Sequence, residues 1–112
     1  MTATFNTVEE QEREIVRVAR RILSDEVGII AGAREMTCVR FRSHTNEQRD
    51  EEFLAFVGIA SETDHLPVGD VRRHWAADAL IRKDAEIIEA EDFFRERALE
   101  AARILVERYE PK

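Results

Sequence analysis

The chain has 112 residues, of which 24 are Asp or Glu and 17 are Lys or Arg, so its formal net charge is −7 at pH 7. This length predicts one helical domain over 1–112, and the 44% hydrophobic and 37% charged content is that of a folded globular protein. The acidic balance opposes binding to phosphate backbones and anionic lipids, so we expect neither nucleic acid nor membrane as a partner.

The N-terminus and the single cysteine predict a cytoplasmic protein. The first five residues show neither a basic region nor an apolar signal core, and every apolar run is far below the ~18 residues of a membrane span. Cys38 cannot form an intrachain disulfide, and we expect it to be a small buried hydrophobic residue.

The first helix is marked by local signals. Thr7 and Glu10 have the spacing of a capping box, and an apolar period of 3.6 residues follows over about 8–24. Ser24 to Glu26 and Gly28 indicate a break. The stretch 29–36 suits a second helix, whereas 38–42 alternates apolar and basic residues as an edge strand does.

The middle of the chain allows two interpretations. Residues 43–48 have the composition of a loop, and a third helix is predicted from Asp50 because Phe53, Phe56 and Ala60 share a helical face. The alternative is an α+β fold with a small hairpin at about 37–59, because periodicity alone cannot assign short apolar runs.

The C-terminal third contains a breaker segment and a long helix. Pro67 and Gly69 lie within a non-periodic stretch at 61–69, and a helical pattern runs from about Asp78 to about Tyr109. The fold class predicted is therefore all-α, with three to four helices and a long C-terminal helix.

The length of this last helix predicts self-association. About 30 helical residues span about 45 Å, whereas a globule of this chain length is about 34 Å across. We expect the overhang to be covered by a second copy in a homodimer, with residues 93–109 at the interface. The predicted interface residues are Phe93, Leu99, Leu105 and Val106.

A cluster of acidic residues and histidines around the breaker segment is the candidate site. It comprises Glu62, Asp64, His65, Asp70 and His74. If 70–78 is helical, Asp70, His74 and Asp78 line one face, and carboxylates opposite them would complete a divalent-metal site that activates water for hydrolysis. The alternative, which we prefer, is a structural corner in which these polar side chains satisfy backbone groups and Trp75 fills the core, with no metal and no cofactor.

Four arginines lie close together in the first predicted helix: Arg13, Arg17, Arg20 and Arg21. Such a cluster can contact phosphate groups if nothing neutralises it. Because the acidic excess lies in residues 43–112, we expect the arginines to pair with the acidic C-terminal helix instead.

The segment from Gly58 to Trp75, followed by Ala79 and Leu80, resembles a family of small bacterial proteins of unknown function. The resemblance extends from about Ile22 to Tyr109 and implies a bacterial cytosolic protein, but it transfers no functional residue.

These observations lead to three hypotheses about function. The first is a non-enzymatic helical protein that acts through protein–protein interaction, as a homodimer and with a possible further protein partner. The second is a metal-dependent, hydrolase-like enzyme that uses Glu62, Asp64, His65 and His74. The third, from charge and fold class alone, is an acidic binding protein similar to bacterial immunity proteins, whose carboxylates neutralise basic toxin surfaces.

Overall fold

The described residues of the chain, 7–42 and 51–110 of a computed structural model, form four α-helices and one short 3₁₀ helix. Helix α1 is Val8–Leu23, α2 is Ile29–Phe41, α3 is Glu51–Glu62 and α4 is Ala77–Tyr109, with the 3₁₀ helix at Gly69–His74. No β-strand occurs within these two ranges. The all-α prediction is therefore confirmed. The predicted loop at 43–48 and the predicted helix start at Asp50 lie outside the described residues.

The boundaries of α1 follow the local sequence signals. The Thr7 hydroxyl accepts a hydrogen bond from the Glu10 backbone N–H at 3.0 Å, which satisfies one of the free donors of the first turn. After Leu23 the Ser24 N–H bonds to the Arg20 carbonyl, and Asp25 adopts a left-handed conformation with φ 62°. The predicted break is thus present, and an aspartate makes the left-handed turn.

Helix α2 continues through the stretch that alternates like a strand. Ile29, Ala33, Met36 and Val39 are all buried, and their spacing keeps them on one helical face. This burial extends to Val39, so tertiary packing favours a helix here although residues 38–42 have the propensity of a strand. The hairpin alternative is wrong, since residues 37–41 and 51–59 are helical.

The four helices share one core, in which α1 packs mainly against α4 and α2 mainly against α3. The largest core side chains, Phe53 and Phe56, come from α3. Small residues of α4 allow close approach of its neighbours; they are Ala98, Ala101 and Ala102, which with Leu105 are the buried residues of that helix.

Helix α4 is buried only near its C-terminal end. Its 33 residues are about 50 Å long at 1.5 Å per residue, and the longest dimension of the molecule is 47 Å. Every buried residue of α4 lies between 98 and 105, and none of residues 77–97 is buried. The overhang is therefore at the N-terminal part of α4, and its predicted location at 93–109 is wrong.

Candidate interaction surface

The residues predicted as a metal or catalytic cluster lie exposed on three successive segments of the chain. Glu62 ends α3, Asp64 and His65 lie in the turn that follows, and Asp70 and His74 belong to the 3₁₀ helix; all five are exposed. The face predicted for 70–78 does not form, because the extended residues Trp75 and Ala76 separate the 3₁₀ helix from α4. Within 7–42 and 51–110, no three His, Cys, Asp or Glu side chains are grouped so as to hold a metal ion.

A cation from α2 stabilises the corner after α3. Arg34 Nη2 donates to the carbonyl oxygens of Thr63 and Leu66 at 2.6 and 2.9 Å, and the buried Thr63 hydroxyl donates to the Ile59 carbonyl at 2.6 Å. These bonds satisfy backbone groups at a helix end that would otherwise lack partners. His65 is exposed, so the expectation that it supports buried backbone at this corner is wrong.

The 3₁₀ helix is attached to α4 by a second arginine. Arg72 donates two hydrogen bonds to the Asp84 carboxylate, at 2.7 and 3.1 Å, and one to the Pro67 carbonyl at 3.1 Å. This guanidinium holds the pKa of the Asp84 carboxyl below its usual value. Trp75, which was expected to fill the core, is only half-buried and lies outside the core cluster.

The N-terminus of α2 is capped by α4. Gly28 precedes α2 and has no side chain to cap it, and the Glu91 carboxylate accepts the Ile30 backbone N–H at 3.0 Å. A Cβ on Gly28 would lie 2.8 Å from the same carboxylate oxygen, so glycine leaves room for Glu91. Arg95, one turn after Glu91, pairs instead with Asp92 at 3.1 Å.

Exposed apolar side chains follow one face of the overhanging part of α4. Ile81 and Ile88 are 73% and 63% exposed. With the exposed Ala77 and Ala85 they occur at intervals of four, four and three residues, which places them on one helical face. We call these four residues the α4 stripe. The sequence signal that could have revealed the stripe is the pair of apolar doublets Leu80–Ile81 and Ile87–Ile88. In each doublet the first residue is half-buried and the second is exposed.

The predicted interface residues are placed differently from one another. Phe93 is 77% exposed, with its ring edge-on to Phe94 at a centroid distance of 4.9 Å. Leu99 and Val106 are half-buried against the core, and Leu105 is fully buried within it. Leu105 cannot contact a partner without unfolding, so its assignment to the interface is wrong.

A shallow apolar groove lies between α3 and α4, on the other side of α4 from the stripe. It has a volume of about 410 Å³ and is lined by Leu54, Gly58 and Phe94, with Glu62 and Arg97 among the charged residues at its edge. Glu62 therefore belongs to the border of an apolar groove in the structure.

The arginines of α1 are largely neutralised within the chain. Arg17 pairs with Glu14, Arg20 with Glu110 just beyond α4, and Arg21 with Glu35 of α2 at 2.7 Å. Pairing with the C-terminal region is thus seen for Arg20, whereas Arg17 and Arg21 use α1 and α2. Cys38 is exposed on the neighbouring α1–α2 surface, so its predicted burial is wrong.

Comparisons with protein-family models, curated proteins and solved structures find no match to this chain. The resemblance of the Gly58–Trp75 segment to small bacterial proteins stays a prediction. No described helix combines the length and apolar composition that crossing a membrane requires.

Proposed function

We propose that this protein is a non-enzymatic interaction protein that acts as a homodimer, with the α4 stripe as the contact surface. The observation that carries the proposal is the exposure of Ile81 and Ile88 on one face of a helical segment, residues 77–97, that has no buried residue.

A helix of this kind depends on tertiary contacts. Most helical stability in proteins comes from packing of an apolar face, since propensity alone stabilises a short helix only marginally in water. Within one chain the segment is supported by polar contacts, through Arg72 with Asp84 and Glu91 with the α2 N-terminus, and by half-buried apolar residues such as Phe94, which packs against the core. A second copy that covers the stripe adds apolar packing on the face that the chain itself leaves exposed.

The size of the stripe sets the expected affinity. Full burial of an isoleucine side chain contributes about 1.5–3 kcal/mol, so the four partly exposed isoleucines of two chains contribute roughly 4–8 kcal/mol. Association costs about 4–15 kcal/mol in lost translational and rotational freedom. The net gain from the isoleucines is therefore at most about 4 kcal/mol, which corresponds to a dissociation constant of about 1 mM, and we expect Ala77, Ala85 and the flanking charges to lower it towards the upper micromolar range.

Light scattering on size-exclusion fractions tests the proposal. Between about 10 and 1,000 µM, a range that reaches the expected dissociation constant, the mass of the wild type should rise from 13.0 kDa towards twice that value. Ile88→Glu should remain monomeric and helical, because the new charge replaces an exposed side chain and leaves the core intact.

The matched control is Val8→Glu. Val8 is also an exposed apolar residue, 52% exposed, but it lies in the first turn of α1, where a negative charge is compatible with the helix. This variant should dimerise like the wild type. A wild type that stays monomeric throughout, or an Ile88→Glu variant that dimerises normally, would contradict the proposal.

A further inference from the structure

We propose that the two copies pair with their α4 stripes antiparallel, about a two-fold axis that passes between Asp84 and Ala85. This inference rests on the proposed function, since it specifies how the second copy covers the stripe.

The apolar residues of the stripe define the register. Ile81 and Ile88 lie at equal distances along the helix from the point between residues 84 and 85. A two-fold axis at that point sets Ile81 of one chain opposite Ile88 of the partner subunit, and it also brings the two Ala85 residues together. The small alanine side chains allow the helices to approach closely where they cross.

The charge distribution along α4 selects the antiparallel direction. On one side of the axis, residues 77–84 contain Asp78, Arg82, Lys83 and Asp84, for a net charge of 0. On the other side, residues 85–92 contain four acids and no base, for a net charge of −4. Antiparallel pairing sets the neutral half of each chain against the −4 half of the other, whereas parallel pairing sets −4 against −4. Like charges held together at an interface are strongly unfavourable.

One pair of side chains carries this complementarity at the edge of the stripe. Arg82 and Glu89 are seven residues apart and border the stripe on the same side. In the register defined by the isoleucines, Arg82 is level with residue 87 of the partner subunit, and Glu89 of the partner subunit lies two residues, about 3 Å, further along the same border, within reach of the long arginine side chain. Symmetry makes this pair twice. Arg82 forms a long ion pair with Asp78 at 3.9 Å and its side chain is 72% exposed, so the guanidinium can contact Asp78 of its own chain and Glu89 of the partner subunit together.

The same register brings Asp78 towards Asp92 of the partner subunit, and an arginine of the same chain offsets each of these charges. Asp78 lies beside Arg82, and Asp92 accepts a hydrogen bond from Arg95 at 3.1 Å. Asp84, close to the axis, is held by Arg72. These intrachain pairs leave Arg82 with Glu89 as the dominant contact between chains at this edge.

Site-directed disulfide cross-linking tests the direction. Cys38 is replaced first, as Cys38→Ser, because it is exposed and would form its own cross-links. Ile81→Cys and Ile88→Cys are then made in separate chains, one of them isotope-labelled, and are oxidised alone and as a mixture. Disulfides form when the two Cβ atoms are about 4 Å apart. The mixture should give labelled–unlabelled dimers joined between positions 81 and 88, and each variant alone should give few, as should a Val8→Cys control.

The outcomes separate this inference from the proposed function. Efficient self-cross-linking of each variant alone would show parallel pairing and overturn the inference, while the homodimer would stand. Dimers seen by light scattering without any cross-link at 81 or 88 would place the interface elsewhere and overturn it as well. Monomers at every concentration would overturn the proposed function itself.

A charge exchange provides a second test with the native side chains at 81 and 88. Arg82→Glu and Glu89→Arg should each weaken dimerisation by about 2- to 10-fold, and the double variant should restore it, because exposed ion pairs have small but measurable energies. In a parallel dimer equivalent positions are level with each other, so the wild type and all three variants set like charges together and neither single variant should weaken dimerisation selectively. Single variants that dimerise like the wild type, or a double variant that does not recover, would therefore contradict antiparallel pairing.

Discussion

Removal of the Glu91 carboxylate should destabilise the fold by uncapping α2, although Glu91 lies on a different helix. Loss of an N-cap side chain costs about 0.5–2 kcal/mol. Ile30 is fully buried, so its N–H loses a partner where water has little access, which costs about 1–3 kcal/mol. Because these two contributions overlap, we expect Glu91→Ala to lower the free energy of unfolding by about 1.5–3 kcal/mol.

Urea unfolding followed by circular dichroism, at one fixed protein concentration, measures this change. With an m-value of about 2 kcal/mol/M, the midpoint should fall by roughly 1 M. Glu91→Gln keeps an acceptor and loses only the charge at the helix N-terminus, so its effect should be smaller, about 0.3–1 kcal/mol. The control is Glu96→Ala, the same chemical change at an exposed position of the same helix. Equal midpoints for Glu91→Ala and Glu96→Ala would refute capping by α4.

Three further changes test the corner, the 3₁₀ helix and the packing of the helices. Arg34→Met removes both hydrogen bonds to the corner carbonyls and should lower stability by about 1–3 kcal/mol; a thermal midpoint equal to that of the wild type would show that the corner does not depend on this residue. Arg72 holds the pKa of Asp84 in the folded protein below the ordinary value of 3.8. The wild type should therefore have a higher free energy of unfolding than Asp84→Asn above pH 3.8, and this difference should disappear as the pH falls through the lower, folded pKa. A difference independent of pH in urea titrations would contradict that pairing. Gly58→Ala should raise the free energy of unfolding by about 0.5–1 kcal/mol, because the new methyl group meets open space within a helix. Gly32→Ala should lower it, because the methyl group would lie 2.5 Å from a side-chain carbon of α1. Equal effects of the two substitutions in urea unfolding would contradict this difference in packing around the two glycines.

The helices are predictable because their signals are local. Thr7 caps α1 through the residue three positions later, and the region of Pro67 and Gly69 ends the preceding helix within a few residues. The stretch 38–42 is the exception. Its alternation of apolar and basic residues is equally compatible with a strand. The stretch is helical because this conformation buries Val39 in the core.

The contacts around the candidate site join residues far apart in the chain, and the sequence contains no local signal for them. Arg34 reaches carbonyls about 30 positions later, and Glu91 caps a helix 61 positions earlier. The acidic residues and histidines near 62–74 looked like a cluster because they are close in sequence. A change from the 3₁₀ helix to extended backbone at Trp75 removes the common face that the cluster required.

The position of the overhang could not be predicted from the sequence either. Helix length predicts that one end of α4 extends past the core, but not which end. The outcome depends on which part of α4 enters the core that it shares with α1, and the buried residues Ala98, Ala101 and Ala102 show that it is the C-terminal half. The N-terminal half then carries the exposed isoleucines.

Hydrogen–deuterium exchange of the wild type at several concentrations tests the central claim most directly, because it reports where a second copy binds as well as whether it binds. Amides of residues 77–92 should become more protected as the concentration rises from about 10 to about 1,000 µM, up to the expected dissociation constant. Amides of the buried segment 98–105 should be protected throughout. Exchange of residues 77–92 that is fast and identical at every concentration would contradict a homodimer built on the α4 stripe.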